Sequence, residues 1–126
     1  MKPARPPIGL FRSFYFAFLG IGHLFRTQRN ARIELAIGAA ACGLALYLRI
    51  SRAEWGVLIL TIACVLILEG LNTALEAVVD LASPDVHPLA KLAKDVSAGM
   101  VLIAAIASIG VGLMILAPPL WARLAR

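Results

Sequence analysis

Charge is what this chain has least of. Only 15% of its 126 residues are Asp, Glu, Lys or Arg, too few to coat a soluble domain of this size. Cysteine is nearly absent. Cys42 and Cys64 fall inside apolar runs at a spacing that suits neither an oxidised pair nor zinc, and they read as small packing residues. The sequence has no G-x-x-x-x-G-K-[ST] loop, no G-x-G-x-x-G kinase loop and no H-x-E or C-x-x-C pattern, so any nucleotide or metal site must be built another way. Its cations are not interleaved with aromatics in a patch, which excludes a nucleic-acid partner. The first 25 residues carry Arg12 and His23 within an apolar run and lack a small-residue cleavage pattern. They are therefore expected to be retained rather than removed as a signal peptide.

What is abundant is hydrocarbon. Hydrophobic residues make up 61% of the chain and the mean hydropathy is +0.89, the signature of a membrane protein. The length allows one domain, residues 1–126. Apolar stretches at 33–48, 55–82 and 96–120, the last on a helix starting near Leu89, are each long enough with their flanks to cross a ~30 Å hydrocarbon core. Membrane helices are thus expected over 33–48, 55–82 and 89–120. Pro3, Pro6 and Pro7 predict an extended start. Over about residues 8–28, Gly9, Arg12, Ser13, Ala17, Gly20 and His23 share one helical face, and Phe11, Phe14, Phe18 and Phe25 occupy the others, the pattern of an interfacial amphipathic helix. The expected fold is an all-α membrane protein with one surface helix and three spans.

Twelve cations oppose seven acids, and their placement sets topology. Lys2, Arg5, Arg12, Arg26, Arg29 and Arg32 precede the first span and Lys91 and Lys94 follow the second, whereas Arg49, Arg52, Arg123 and Arg126 fall at the other side. The positive-inside rule then predicts a cytoplasmic N-terminus and a C-terminus outside.

Glu69, Asn72, Glu76 and Asp80 interrupt the second span. At 100° per residue they fall within a sector of roughly 80°, one polar stripe. Each ionisable group in a bilayer costs at least ~2.5–3.5 kcal/mol, so such a stripe points to a functional site facing protein or water. A buried structural network and a cation or proton pathway are the alternatives. Lys91, Lys94 and Asp95, on the first turns of the third span, argue against a cation path, because two lysines at a helix N-terminus suit phosphate. The loop Ser83-Pro84-Asp85-Val86-His87-Pro88 keeps both groups at one depth. Carboxylates for Mg²⁺, cations for phosphates and a base for a hydroxyl are the parts that phosphoryl transfer needs. The knot from Arg26 to Glu34, just before the first span, anchors that end at anionic headgroups, although Arg29, Asn30 and Glu34 exceed an anchor's needs. Small residues from Ala98 to Gly112 allow close helix approach.

The run Glu69-Gly-Leu-Asn72-Thr-Ala-Leu-Glu76-Ala-Val-Val-Asp80, followed by His87-Pro-Leu-Ala-Lys91-Leu-Ala-Lys94-Asp95, closely resembles the prokaryotic diacylglycerol kinase and undecaprenol kinase family, over about Ser13 to Gly112. The resemblance implies a homotrimeric lipid kinase of the bacterial inner membrane, with composite sites between subunits that use Mg-ATP to phosphorylate a lipid alcohol at the cytoplasmic interface. It implies that Glu69 is the base and contacts the lipid together with Asn72. Glu76 would hold the metal, and Lys94 would neutralise the phosphates. Asn72, Asp80, Asp95, Gln28 and Arg29 would complete the ATP pocket. One departure concerns the metal: where well-known members carry a second metal-binding glutamate, this chain has Gln28, which offers a carbonyl oxygen but no charge, with Glu34 as a possible helper. The loop from Ser83 to Lys91 resembles the undecaprenol kinase branch, which implies undecaprenol as substrate, with diacylglycerol as the alternative.

Overall fold

The computed structural model describes residues 9–125. Lys2, Pro3, Arg5, Pro6, Pro7 and Arg126 lie outside the described residues. Four helices follow in order: α1 (Leu10–Thr27), α2 (Arg29–Leu48), α3 (Arg52–Ala82) and α4 (Pro88–Leu124). The described chain is an all-α membrane fold, and α2, α3 and α4 are each long and apolar enough to cross a bilayer.

Helix α1 buries none of its residues. Phe11 is 90% and Phe18 70% exposed, an apolar surface that water alone would not tolerate but a membrane interface accepts. A single extended residue, Gln28, ends α1 and begins α2. The polar knot is therefore not a preface to the span. Arg29, Asn30 and Arg32 form the first turn of α2 itself, because one extended residue is enough to redirect the chain.

At the other end of α2, Arg49 adopts φ 55° in the left-handed region, a conformation that costs a non-glycine residue about 1 kcal/mol or more. It closes the helix through bonds to the carbonyls of Ala45 and Leu46, and Ser51 starts α3 at once. The Ser51 and Glu54 side chains cap each other's backbone N–H groups, at 3.3 Å to Ser51 Oγ and 2.7 Å to Glu54 Oε2, a reciprocal box that satisfies two otherwise orphaned donors. The second turn is held by His87, whose Nδ1 accepts from the Leu89 N–H at 3.2 Å, with Pro88 in the first helical position, where its missing N–H costs nothing.

Helices α3 and α4 pack along each other, with α2 against both. The tight core lies toward the α2–α3 turn, where Ala45, Leu58 and Ile115 are buried and Trp55, Ile62 and Val111 lean on them. At Gly38, a Cβ would stand 3.0 Å from Ile62 Cγ2, so glycine is what lets α2 approach α3 so closely. Arg123 stacks over the Tyr47 ring at 4.6 Å and ties the end of α4 to the end of α2 by a cation–π contact. The third span extends past the expected residue 120 to Leu124, through Pro118 and Pro119. Each of these lacks only one helix bond, to the carbonyls of Met114 and Ile115, so the pair perturbs the last turns without breaking the span.

The two longest helices outreach the bilayer. With 31 residues in α3 and 37 in α4, they run roughly 46 Å and 55 Å at 1.5 Å per residue, well beyond a ~30 Å hydrocarbon core.

Candidate active site

Along α3 the polar stripe changes environment step by step. Glu69 is 3% exposed, the one buried charged side chain among the described residues. Asn72 and Glu76 are half-buried, and Asp80 is exposed. Asn72 Nδ2 donates to Glu76 Oε1 at 3.2 Å across one helical turn, which leaves the other Glu76 oxygen free for a cation. Asn72 Oδ1 is buried without a partner. A buried acceptor without a donor costs about 1–3 kcal/mol, so this atom is poised for an incoming donor.

The turn between α3 and α4 brings Lys94 to the stripe: Nζ lies 2.9 Å from Asp80 Oδ1 and within electrostatic range of Glu76. Lys91 pairs with Asp95 on its own helix. Both aspartates therefore hold lysines in place at the start of α4. These pairs are exposed and worth little for stability, so their value is in positioning. A concave region at the turn is lined by Asp80, His87, Lys91, Lys94 and Asp95.

On the other side of Glu69, Glu34 of α2 lies close enough to feel its charge, and Glu34 Oε2 is a second buried acceptor without a partner. Glu34 also stands at the rim of an apolar cavity of about 450 Å³ between α2, α3 and α4, walled by Ile37, Val65, Ile109 and Leu113 among others. Gln28 and Arg29 stand at the α1–α2 joint, and the Gln28 side chain makes no capping bond.

No three metal-ligating His, Cys, Asp or Glu side chains converge among the described residues. The donors present still suit Mg²⁺, which needs only one or two carboxylates when phosphates and water supply the rest; Glu76, with one oxygen uncommitted, would be the residue to hold it. Sequence reasoning missed three contributors. Arg32 donates from Nη1 to the carbonyls of Arg26 and Phe25 in α1; Gly70 faces Leu24 of α1; and His87 caps α4. Only the last has a local signal, a polar residue before a proline that opens an apolar helix.

Three spans with a graded carboxylate stripe, a facing lysine and an apolar cavity define an integral-membrane protein with a charged site at one end of its helix bundle. The sequence pattern described as prokaryotic diacylglycerol kinase matches residues 15–116, and the chain belongs to that family. A diacylglycerol kinase of Synechocystis is 50% identical over 86% of the chain, and the match spans 62% of that relative's length. An undecaprenol kinase of Bacillus subtilis is 41% identical over 87% of the chain and 89% of its own length. A diacylglycerol kinase of Helicobacter pylori is 31% identical over 75% of the chain and 73% of its own length.

Proposed function

We propose that this protein is a lipid kinase that transfers the γ-phosphate of ATP to the primary hydroxyl of a membrane lipid alcohol. The observation that carries this reading is the Lys94–Asp80 contact of 2.9 Å, which sets a cation for phosphates at the head of a carboxylate stripe. Glu69 is the base. Buried within the bundle, it accepts the hydroxyl proton as the oxygen attacks phosphorus, and ADP departs with the bridging oxygen. Lys94 neutralises charge on the phosphates, and Asp80 and Asp95 hold Lys94 and Lys91 toward them. Asn72, with one free acceptor, orients the lipid hydroxyl or nucleotide, while Gln28 and Arg29 border the nucleotide from the α1–α2 joint. Mg²⁺ bound by Glu76 would screen the phosphate charge and orient the nucleotide. The apolar cavity below Glu34 takes the hydrocarbon of the lipid and leaves its head at Glu69.

Undecaprenol is the substrate this reading favours. The Bacillus subtilis relative named undecaprenol kinase matches over 89% of its length, and the loop from Ser83 to Lys91 has that branch's character. Diacylglycerol is the second reading, supported by the name of the 50% identical relative. Thin-layer assay of labelled phosphate transfer to each alcohol, side by side, tests both. Transfer to undecaprenol alone bears out the first reading, transfer to diacylglycerol alone replaces it with the second, and transfer to neither ends the kinase proposal.

Gln28 tests the metal shell. Gln28→Glu adds an anionic ligand, so the Mg²⁺ concentration for half-maximal activity should fall, by an amount on the order of 1 kcal/mol because the new charge also repels the phosphates. Mg²⁺ titration at fixed ATP reads this directly, and an unchanged dependence places residue 28 outside the metal's reach.

We further propose a homotrimer in the bacterial inner membrane with the N-terminus cytoplasmic. Among the described residues Arg26, Arg29, Arg32, Lys91 and Lys94 stand at one end of the bundle, against Arg49, Arg52 and Arg123 at the other. A reporter fused behind the last residue should then lie outside the cytoplasm. A cytoplasmic signal would reverse the site's orientation.

A further inference from the structure

Arg32 is ill placed for its own helix. It stands in the opening turns of α2, whose positive end disfavours a cation, and no acidic residue occupies the first turn to offset it. The guanidinium is turned back onto α1 instead. Its Nη1 donates to the Arg26 carbonyl at 3.1 Å and the Phe25 carbonyl at 3.4 Å. Both belong to the last turn of α1, where carbonyls have no partner within the helix. The Leu24 carbonyl is already taken by the Gln28 N–H at 2.8 Å, so Arg32 supplies what the backbone cannot. A cation there also meets the negative end of α1.

One side chain thus bridges the two helices that meet at Gln28. The joint is packed as well as bonded, since Ala31 beside it is 0% exposed. On its far side α1 rests on α3: Leu24 Cδ2 lies 3.6 Å from the place a Gly70 Cβ would occupy. Gly70 follows Glu69 directly. A surface helix with no buried residue of its own has little else to fix its height.

We infer that Arg32 is a positioning residue that locks α1 onto α3 beside Glu69, so that the wall past which a lipid headgroup must enter stands at one fixed place. The consequence for catalysis rests on the reading of Glu69 as the base; the lock itself does not. Lysine restores the charge but not the planar, weakly hydrated donor group, so it should restore the lock only in part.

The test has two arms. In the full chain with Cys42→Ala and Cys64→Ala, a single Leu24→Cys reports the seat of α1 through its rate of maleimide labelling in bilayers. Arg32→Ala should speed labelling about fivefold or more, by freeing the helix to open locally, with Arg32→Lys in between. In the chain with native cysteines, Arg32→Ala should raise the KM for the lipid alcohol several-fold while the KM for ATP changes little, a split that a general loss of folding would not give. Unchanged labelling in both variants overturns the lock. Faster labelling with an unchanged lipid KM overturns its bearing on the reaction. Full turnover in Glu69→Gln would strike only the base assignment and leave the labelling result standing. Should Arg32→Ala fail to accumulate, Arg32→Lys is judged by the same two readouts.

Discussion

Glu69→Gln should yield a folded protein that binds ATP nearly as before and turns over ~10²-fold more slowly, or worse. The amide matches the carboxylate in shape and keeps a polar group in a position only 3% exposed. What it loses is the ability to take a proton. The substitution also removes a carboxylate that repels Glu34, so repulsion within the bundle falls and the fold should not suffer. Steady-state turnover at saturating lipid alcohol, measured with ATP affinity in the same preparation, separates chemistry from binding. Turnover close to that of the parent would remove Glu69 from the reaction.

The second large effect is a rescue. Lys94→Ala should also be nearly inactive, because it strips the phosphates of their cation and leaves Asp80 without its partner. If the site is shared between neighbouring subunits, mixing Glu69→Gln chains with Lys94→Ala chains before assembly restores activity that neither has alone. In a cyclic trimer mixed at random, about a quarter of the sites would draw an intact Glu69 from one subunit and an intact Lys94 from its neighbour. Activity of the mixture near that level supports the composite arrangement. A mixture no better than the average of its parts means that both residues of a site come from one chain.

The spans and the stripe were legible because each rests on local periodicity. Apolar runs of sufficient length fix α2, α3 and α4, and the offsets from Glu69 to Asp80 require a shared helical face wherever that helix lies. That the carboxylates of α3 and the lysines of α4 share one depth was legible too, since a short turn joins their helices, whereas the pairing of Lys94 with Asp80 in particular was not. The gradient along the stripe was not. That Glu69 is sealed while Asp80 is open depends on what α1 and α2 cover, and nothing in residues 69–80 encodes it. Arg32 shows the same limit in a single residue: its charge suggests an anchor at headgroups, and only the sharp elbow at Gln28 brings the carbonyls of α1 within its reach. The third span, expected to end near residue 120, instead continues through Pro118 and Pro119 to Leu124, with Arg123 fastened over Tyr47.

The overhang of α3 and α4 beyond the hydrocarbon has a kinetic meaning. In the proposed reaction the sealed Glu69 receives a lipid alcohol while the half-buried Lys94 and the exposed Asp80 receive a nucleotide, so the two reactants arrive from phases of different dimension. The nucleotide comes by diffusion through a volume, and its concentration is counted per litre. The lipid alcohol comes by lateral diffusion within a sheet, and what the enzyme senses is its mole fraction among neighbouring lipids. Diluting the membrane with inert lipid at constant total alcohol therefore slows the reaction as surely as withdrawing substrate, whereas diluting the whole suspension in buffer of constant ATP leaves each enzyme's rate untouched.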